Sequence, residues 1–82
     1  MIKIRFFAMF RDHVGRAEVD VEPGEEKTLK ALLERLKGEL PGLERIMEEG
    51  NAIFALNQEV VEPDAPVKDG DEIAVFPPVS GG

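Results

Sequence analysis

One segment of this 82-residue chain reads as a helix throughout, and its apolar face dictates what must surround it. Leu29, Leu32, Leu33, Leu36 and Leu40 recur at i, i+3, i+4, i+7 and i+11, which puts all five on one side of an α-helix. Thr28 is suited to cap its start and Pro41-Gly42 to stop it, so the spacing predicts a helix over 28–40. A lone leucine stripe needs an apolar partner layer, and in a chain this short that layer is a small sheet.

Short alternating segments supply the sheet. Over 1–9, Ile2, Ile4, Phe6 and Ala8 share one face, with Lys3, Arg5, Phe7 and Met9 on the other. Residues 10–14 fit one helical turn closed by Gly15, and 17–21 form a second strand that pairs back on the first and ends at Pro23-Gly24. Beyond the main helix, Leu43, Ile46 and Met47 predict a short helix before Gly50. A strand over 52–56, the turn-like Asn57-Gln58, a brief Val60-Val61 segment, a turn at Asp69-Gly70 and a last strand over 72–76 complete the chain. The order β-β-α-β-β-β is an α+β architecture, with one main helix packed on one face of a small mixed sheet. The first and last strands are rich in β-branched or aromatic residues and are expected at its centre. That arrangement is the β-grasp of ubiquitin-like proteins. Residues 1–76 are the expected domain and 77–82 an extended C-terminal tail.

Composition narrows the chemistry. There is no cysteine, which excludes disulfides, thiolate metal sites and cysteine nucleophiles and fits a cytoplasmic protein. A net charge of −7 argues against nucleic acid, whose phosphates call for a concentrated basic surface. No apolar run approaches the length of a membrane span, and Lys3, Arg5 and Arg11 interrupt the N-terminal apolar stretch, so neither a span nor a signal peptide is expected. His13 is the only histidine and Ser80 the only serine, so there is no zinc set and no serine triad. Asp69 and Asp71 read first as a turn, and no glycine-rich phosphate loop precedes a helix.

The tail carries the strongest functional signal. Pro77-Pro78-Val79-Ser80-Gly81-Gly82 begins as a stiff polyproline-like rod and ends on two residues without Cβ. Six extended residues reach roughly 20 Å, and a Gly-Gly tip passes through a channel that any side chain would block. The reading is a carrier whose working group is the carboxylate of Gly82. The competing reading is an ordinary frayed terminus.

Strand parity adds a second signal. If Ile4 and Ile73 face the core, Phe7 and Phe76 point to the helix-free side of neighbouring strands, and Val60 joins them from the short fifth segment. Contiguous exposed apolar residues mark a partner surface. The alternative is that loops of the chain itself cover Phe7.

The run from Met1 to Ala8 (Met-Ile-Lys-Ile-Arg-Phe-Phe-Ala), with Arg11 and Gly15, resembles the opening of small subunits of molybdopterin synthase. Asn57-Gln58 and the run from Asp69 to Gly82 resemble the closing half of that family, with mild departures at Phe10 and His13. The resemblance implies a ubiquitin-like sulfur carrier with no permanently bound cofactor. An ATP-dependent activating enzyme would adenylate Gly82, and a persulfide donor would convert it to a thiocarboxylate. The large synthase subunit, expected in a heterotetramer with this chain, would hold the catalytic side chains and receive the sulfur for cyclic pyranopterin monophosphate. By the same resemblance Phe7, Arg11, Val60, Phe76 and the tail residues Pro77, Pro78, Val79, Ser80 and Gly81 fall at partner contacts. Two alternatives share the Gly-Gly chemistry: a sulfur carrier for thiamine or tRNA thiolation, and a protein modifier conjugated to lysines.

Overall fold

The leucine stripe finds its sheet. A computed structural model describes residues 1–78 and contains β1 (Ile2–Phe6), α1 (Met9–Val14), β2 (Glu18–Val21), α2 (Leu29–Leu36), α3 (Leu43–Glu49), β3 (Ile53–Leu56), β4 (Glu59–Val61) and β5 (Glu72–Phe76). The five strands form one sheet in the order β2-β1-β5-β3-β4. β1 and β5 are parallel, with Ile4 opposite Ile73 and Phe6 opposite Val75, while β2, β3 and β4 pair antiparallel. This is the mixed sheet of a ubiquitin-like β-grasp, with the first and last strands side by side at its centre.

The inward residues of β1, β2 and β5 meet α2 in a single core. Ile2, Ile4, Phe6, Val19, Val21, Ile73 and Val75 pack with Leu29, Leu32, Leu33 and Leu36, and Phe10, Leu43 and Ile46 from α1 and α3 close the same cluster. Each fully buried aliphatic or phenyl side chain contributes about 1.5–3 kcal/mol by leaving water. Among the described residues, no helix packs on the opposite face of the sheet.

α2 begins as the sequence predicts: the Thr28 Oγ1 accepts a hydrogen bond from the Ala31 N–H at 3.2 Å. It ends earlier than the leucine spacing suggests, at Leu36 rather than Leu40. Tighter turns follow, in which the Glu39 and Leu40 N–H groups both donate to the Leu36 carbonyl, at 2.9 and 2.8 Å. Gly38 sits within these turns, and Leu40 still packs against the core although it has left the helix.

One glycine fixes how closely α3 approaches α1. Gly42 starts α3 at φ 91°, and a Cβ there would lie 1.9 Å from the His13 carbonyl oxygen. Any side chain at Gly42 would push α3 away from α1, the helix that follows Phe7.

Candidate partner-binding face

The helix-free face divides into a polar half and an apolar half. Toward one end, Arg5 pairs with Glu72 at 2.9 Å on one neighbouring strand and Glu18 at 3.5 Å on the other. These groups are about half exposed, so each pair is worth under about 1 kcal/mol; what they do is mark the border of the apolar half. Beyond them two aromatic rings take over the middle of the face. Phe7 and Phe76 meet edge to face, with ring centroids 6.4 Å apart and planes at 83°. Phe7 remains 44% exposed, so the chain's own loops do not cover it.

The register extends the patch across the sheet. Ile53 lies opposite Phe76 on β3, and the row Ala74, Ala55, Val60 crosses β5, β3 and β4. Val60 is 67% exposed and shares the face, but β3 stands between it and Phe76. Of the residues expected at partner contacts, the structure thus brings Phe7 and Phe76 into contact and sets Val60 two strands away on the same face. Arg11 is exposed on α1, off the sheet. Pro77 is half-buried and Pro78 exposed, where the chain leaves β5. Val79, Ser80, Gly81 and Gly82 lie outside the described residues. Ile53 and Ala55 were not singled out in the sequence: all four residues of β3 are apolar, so no polar alternation marks which of them face outward.

A tight turn holds Phe7 out while its near neighbour goes in. Phe10 is completely buried only three residues later, so the chain must reverse between them. It does so at Ala8, which takes φ 54° and ψ −134°, and the Phe10 N–H closes the turn on the Phe7 carbonyl at 3.1 Å. A non-glycine residue in such a conformation costs about 1–3 kcal/mol.

The far end of β5 is pinned by a buried carboxylate. Asn57 and Gln58 take φ 50° and 73°, the left-handed pair that a two-residue hairpin turn between β3 and β4 demands. The Asn57 Nδ2 donates to Asp71 Oδ1 at 3.0 Å, and the Glu72 N–H donates back to Asn57 Oδ1 at 3.0 Å. Asp71 also accepts from the Lys68 N–H and the Lys68 Nζ, each at 2.9 Å. Burial opposes ionisation of Asp71, but the hydrogen bonds from Asn57 and Lys68 outweigh it and hold its carboxyl below the usual carboxylate range. The stability this gives is complete above the unfolded-state pKa of about 3.9 and is lost as pH falls through the lower folded-state value. An Asp71→Asn variant should therefore lose about 1–3 kcal/mol at neutral pH, since its amide would confront donors with a donor. Urea midpoints measured from neutral to acid pH should also fall less steeply on acidification in the variant than in the wild type.

Asp71 is thus a structural tie to the β3–β4 turn, more than the turn residue its Asp-Gly-Asp setting suggests. Among the described residues, no group of three His, Cys, Asp or Glu side chains is placed to hold a metal ion. No helix among them is long and apolar enough to cross a membrane.

The ThiS family matches residues 4–82, nearly the whole chain. This chain belongs to the ThiS family. The Escherichia coli protein named molybdopterin synthase sulfur carrier subunit is 39% identical over 82 residues, covering 100% of both chains. Among solved structures, small archaeal modifier protein 1 of Haloferax volcanii superposes with a TM-score of 0.80 at 27% identity, over 95% of this chain and 97% of that one. A Helicobacter pylori structure described as a complex of subunits 1 and 2 of molybdopterin-converting factor matches with a TM-score of 0.68 at 29% identity, over 99% and 97% of the two chains. The ThiS-family likeness therefore includes both the sheet that carries the aromatic pair and the Gly-Gly end of the sequence.

Proposed function

We propose that this chain is the sulfur carrier of molybdopterin synthase in molybdenum cofactor biosynthesis. The observation that carries the reading is a full-length likeness to a protein of that name, running through the final Gly-Gly. A carboxylate is a poor electrophile, so the carrier is charged in stages. An activating enzyme joins the Gly82 carboxylate to the AMP part of ATP and releases pyrophosphate. The terminal sulfur of a persulfide displaces AMP, giving an acyl disulfide. A second thiol then cleaves the S–S bond, leaving the thiocarboxylate on Gly82 and a disulfide on the donor side. ATP is consumed by the activating enzyme, and this chain holds no resident cofactor.

The domain's own part is to present the tail. Phe7 and Phe76 anchor the large subunit at the root of the tail, Val60 and Arg11 flank that contact, and Pro77 and Pro78 direct Val79, Ser80, Gly81 and Gly82 into the large subunit's channel. There the sulfur passes to cyclic pyranopterin monophosphate. Two sulfurs make the dithiolene, so two charged carriers are consumed per pterin, in keeping with a heterotetramer of two small and two large subunits. The reaction belongs in the cytoplasm, where ATP is supplied.

Likeness to a modifier protein favours a second reading, in which the same adenylate ends in an isopeptide with a lysine. One experiment separates the two. The chain is incubated with activating enzyme, ATP and a persulfide donor, and its mass is measured. Replacement of one oxygen by sulfur, followed by formation of molybdopterin when large subunit and cyclic pyranopterin monophosphate are added, is the expected result. An unchanged mass, or conjugates to other proteins without sulfur transfer, would overturn it.

A further inference from the structure

The exposed apolar surface does not stop at the edge of the sheet face. Phe7, Ala8 and Met9 are three consecutive exposed apolar residues, and Met9 keeps 52% of its surface in water. Ala8 and Met9 belong to no part of the core cluster. They stand where β1 stops beside the end of β5: the Phe7 N–H donates to the Val75 carbonyl at 3.1 Å, one residue past the registered pair Phe6 and Val75. Ala8 and Met9 therefore flank the end of the sheet from which Pro77 and Pro78 depart.

The conformation of Ala8 is the second observation. Glycine would adopt φ 54° without strain, whereas alanine accepts the strain for a methyl group that is left exposed. The turn serves to bury Phe10, but glycine would form it as well and without the strain, and strain of this kind collects at sites of function.

We propose that Ala8 and Met9 carry the docking surface round the end of the sheet, forming an apolar collar at the tail's root. The collar seats against an apolar rim around the channel of the large synthase subunit. This rests on the sulfur-carrier reading above. Gly82 is four residues past Pro78, a reach of about 13–14 Å, so a partner that takes the carboxylate into a channel must bring the rim close to the tail's root. The large subunit is the occupant because a relative with this fold is solved in a complex of subunits 1 and 2.

The test uses Ala8→Gly, Met9→Ser and the double variant, each titrated against the large subunit, with thermal midpoints and single-turnover sulfur transfer from the thiocarboxylated chain. Ala8→Gly should melt no lower than wild type, because glycine relieves the positive φ, yet bind about fourfold more weakly for one lost methyl contact. The double variant should bind about tenfold or more weakly, with transfer restored at saturating large subunit because docking alone is touched. Binding of the double variant within about twofold of wild type would overturn the collar. So would a transfer defect that persists at saturation, or a lowered midpoint in Ala8→Gly. A Gly82 deletion run alongside keeps the two proposals apart. It should bind normally and transfer at least about a hundredfold more slowly; transfer by the deletion at the wild-type rate defeats the carrier reading, while a normal double variant beside an impaired deletion defeats the collar alone.

Discussion

Deletion of Gly82 is expected to leave folding intact and to reduce sulfur acceptance and transfer at least about a hundredfold. The shortened chain still ends in a glycine carboxylate, that of Gly81, but one residue of reach is gone, about 3.3–3.6 Å. Displacement of a reacting group by even 1 Å costs about a hundredfold in rate, and this displacement is several times larger. Stability should hardly change, because among the described residues no member of the core cluster lies beyond Val75. Thermal melting, the mass shift after activation and single-turnover delivery to the large subunit measure the three quantities separately. A deletion that still accepts and delivers sulfur would remove the carboxylate from the mechanism.

The second large effect separates the two faces of the sheet. Leu33→Ala, at a buried position of α2 against the sheet, should cost about 2–5 kcal/mol of stability through lost burial and the cavity it leaves. Phe76→Ala, on the helix-free face, should cost less stability but weaken large-subunit binding by about 1–3 kcal/mol. Denaturant unfolding paired with calorimetric binding would measure both effects in both variants. If Phe76→Ala unfolds the domain as severely as Leu33→Ala without selectively weakening binding, the ring is packing rather than an anchor.

These contrasts trace back to how the chain encodes its faces. In β1 the alternation of Ile2, Ile4 and Phe6 with Lys3, Arg5 and Phe7 is strict, so the outward setting of Phe7 could be read from parity, and β5 allowed the same for Phe76. β3 offers no such contrast: Ile, Phe, Ala and Leu are all apolar, and only its pairing with β5 turns Ile53 toward the aromatic pair. The early end of α2 was hidden because Leu40 keeps helical spacing while the backbone has already moved into tighter turns. Asp71 looked like turn material because its partner Asn57 is 14 residues away in the chain, a separation that no local pattern reports. The positive φ of Ala8 had no signal either, since glycine, asparagine and aspartate are the residue types that mark such a conformation.

The side-by-side placement of β1 and β5 bears on when this protein comes into being. Strand β5 is the middle of the five, so β1 with β2 and β3 with β4 remain two separate ribbons until residues 72–76 have been synthesised. Pairings between sequence-distant strands are slow to form, and two-stranded ribbons have little stability alone. The same late strand brings Phe76 to Phe7, so a chain broken off before it would have neither a closed sheet nor the aromatic pair. A product broken off before β5 would therefore carry Phe7 and Val60 on separate ribbons, with no sheet to hold them on one face.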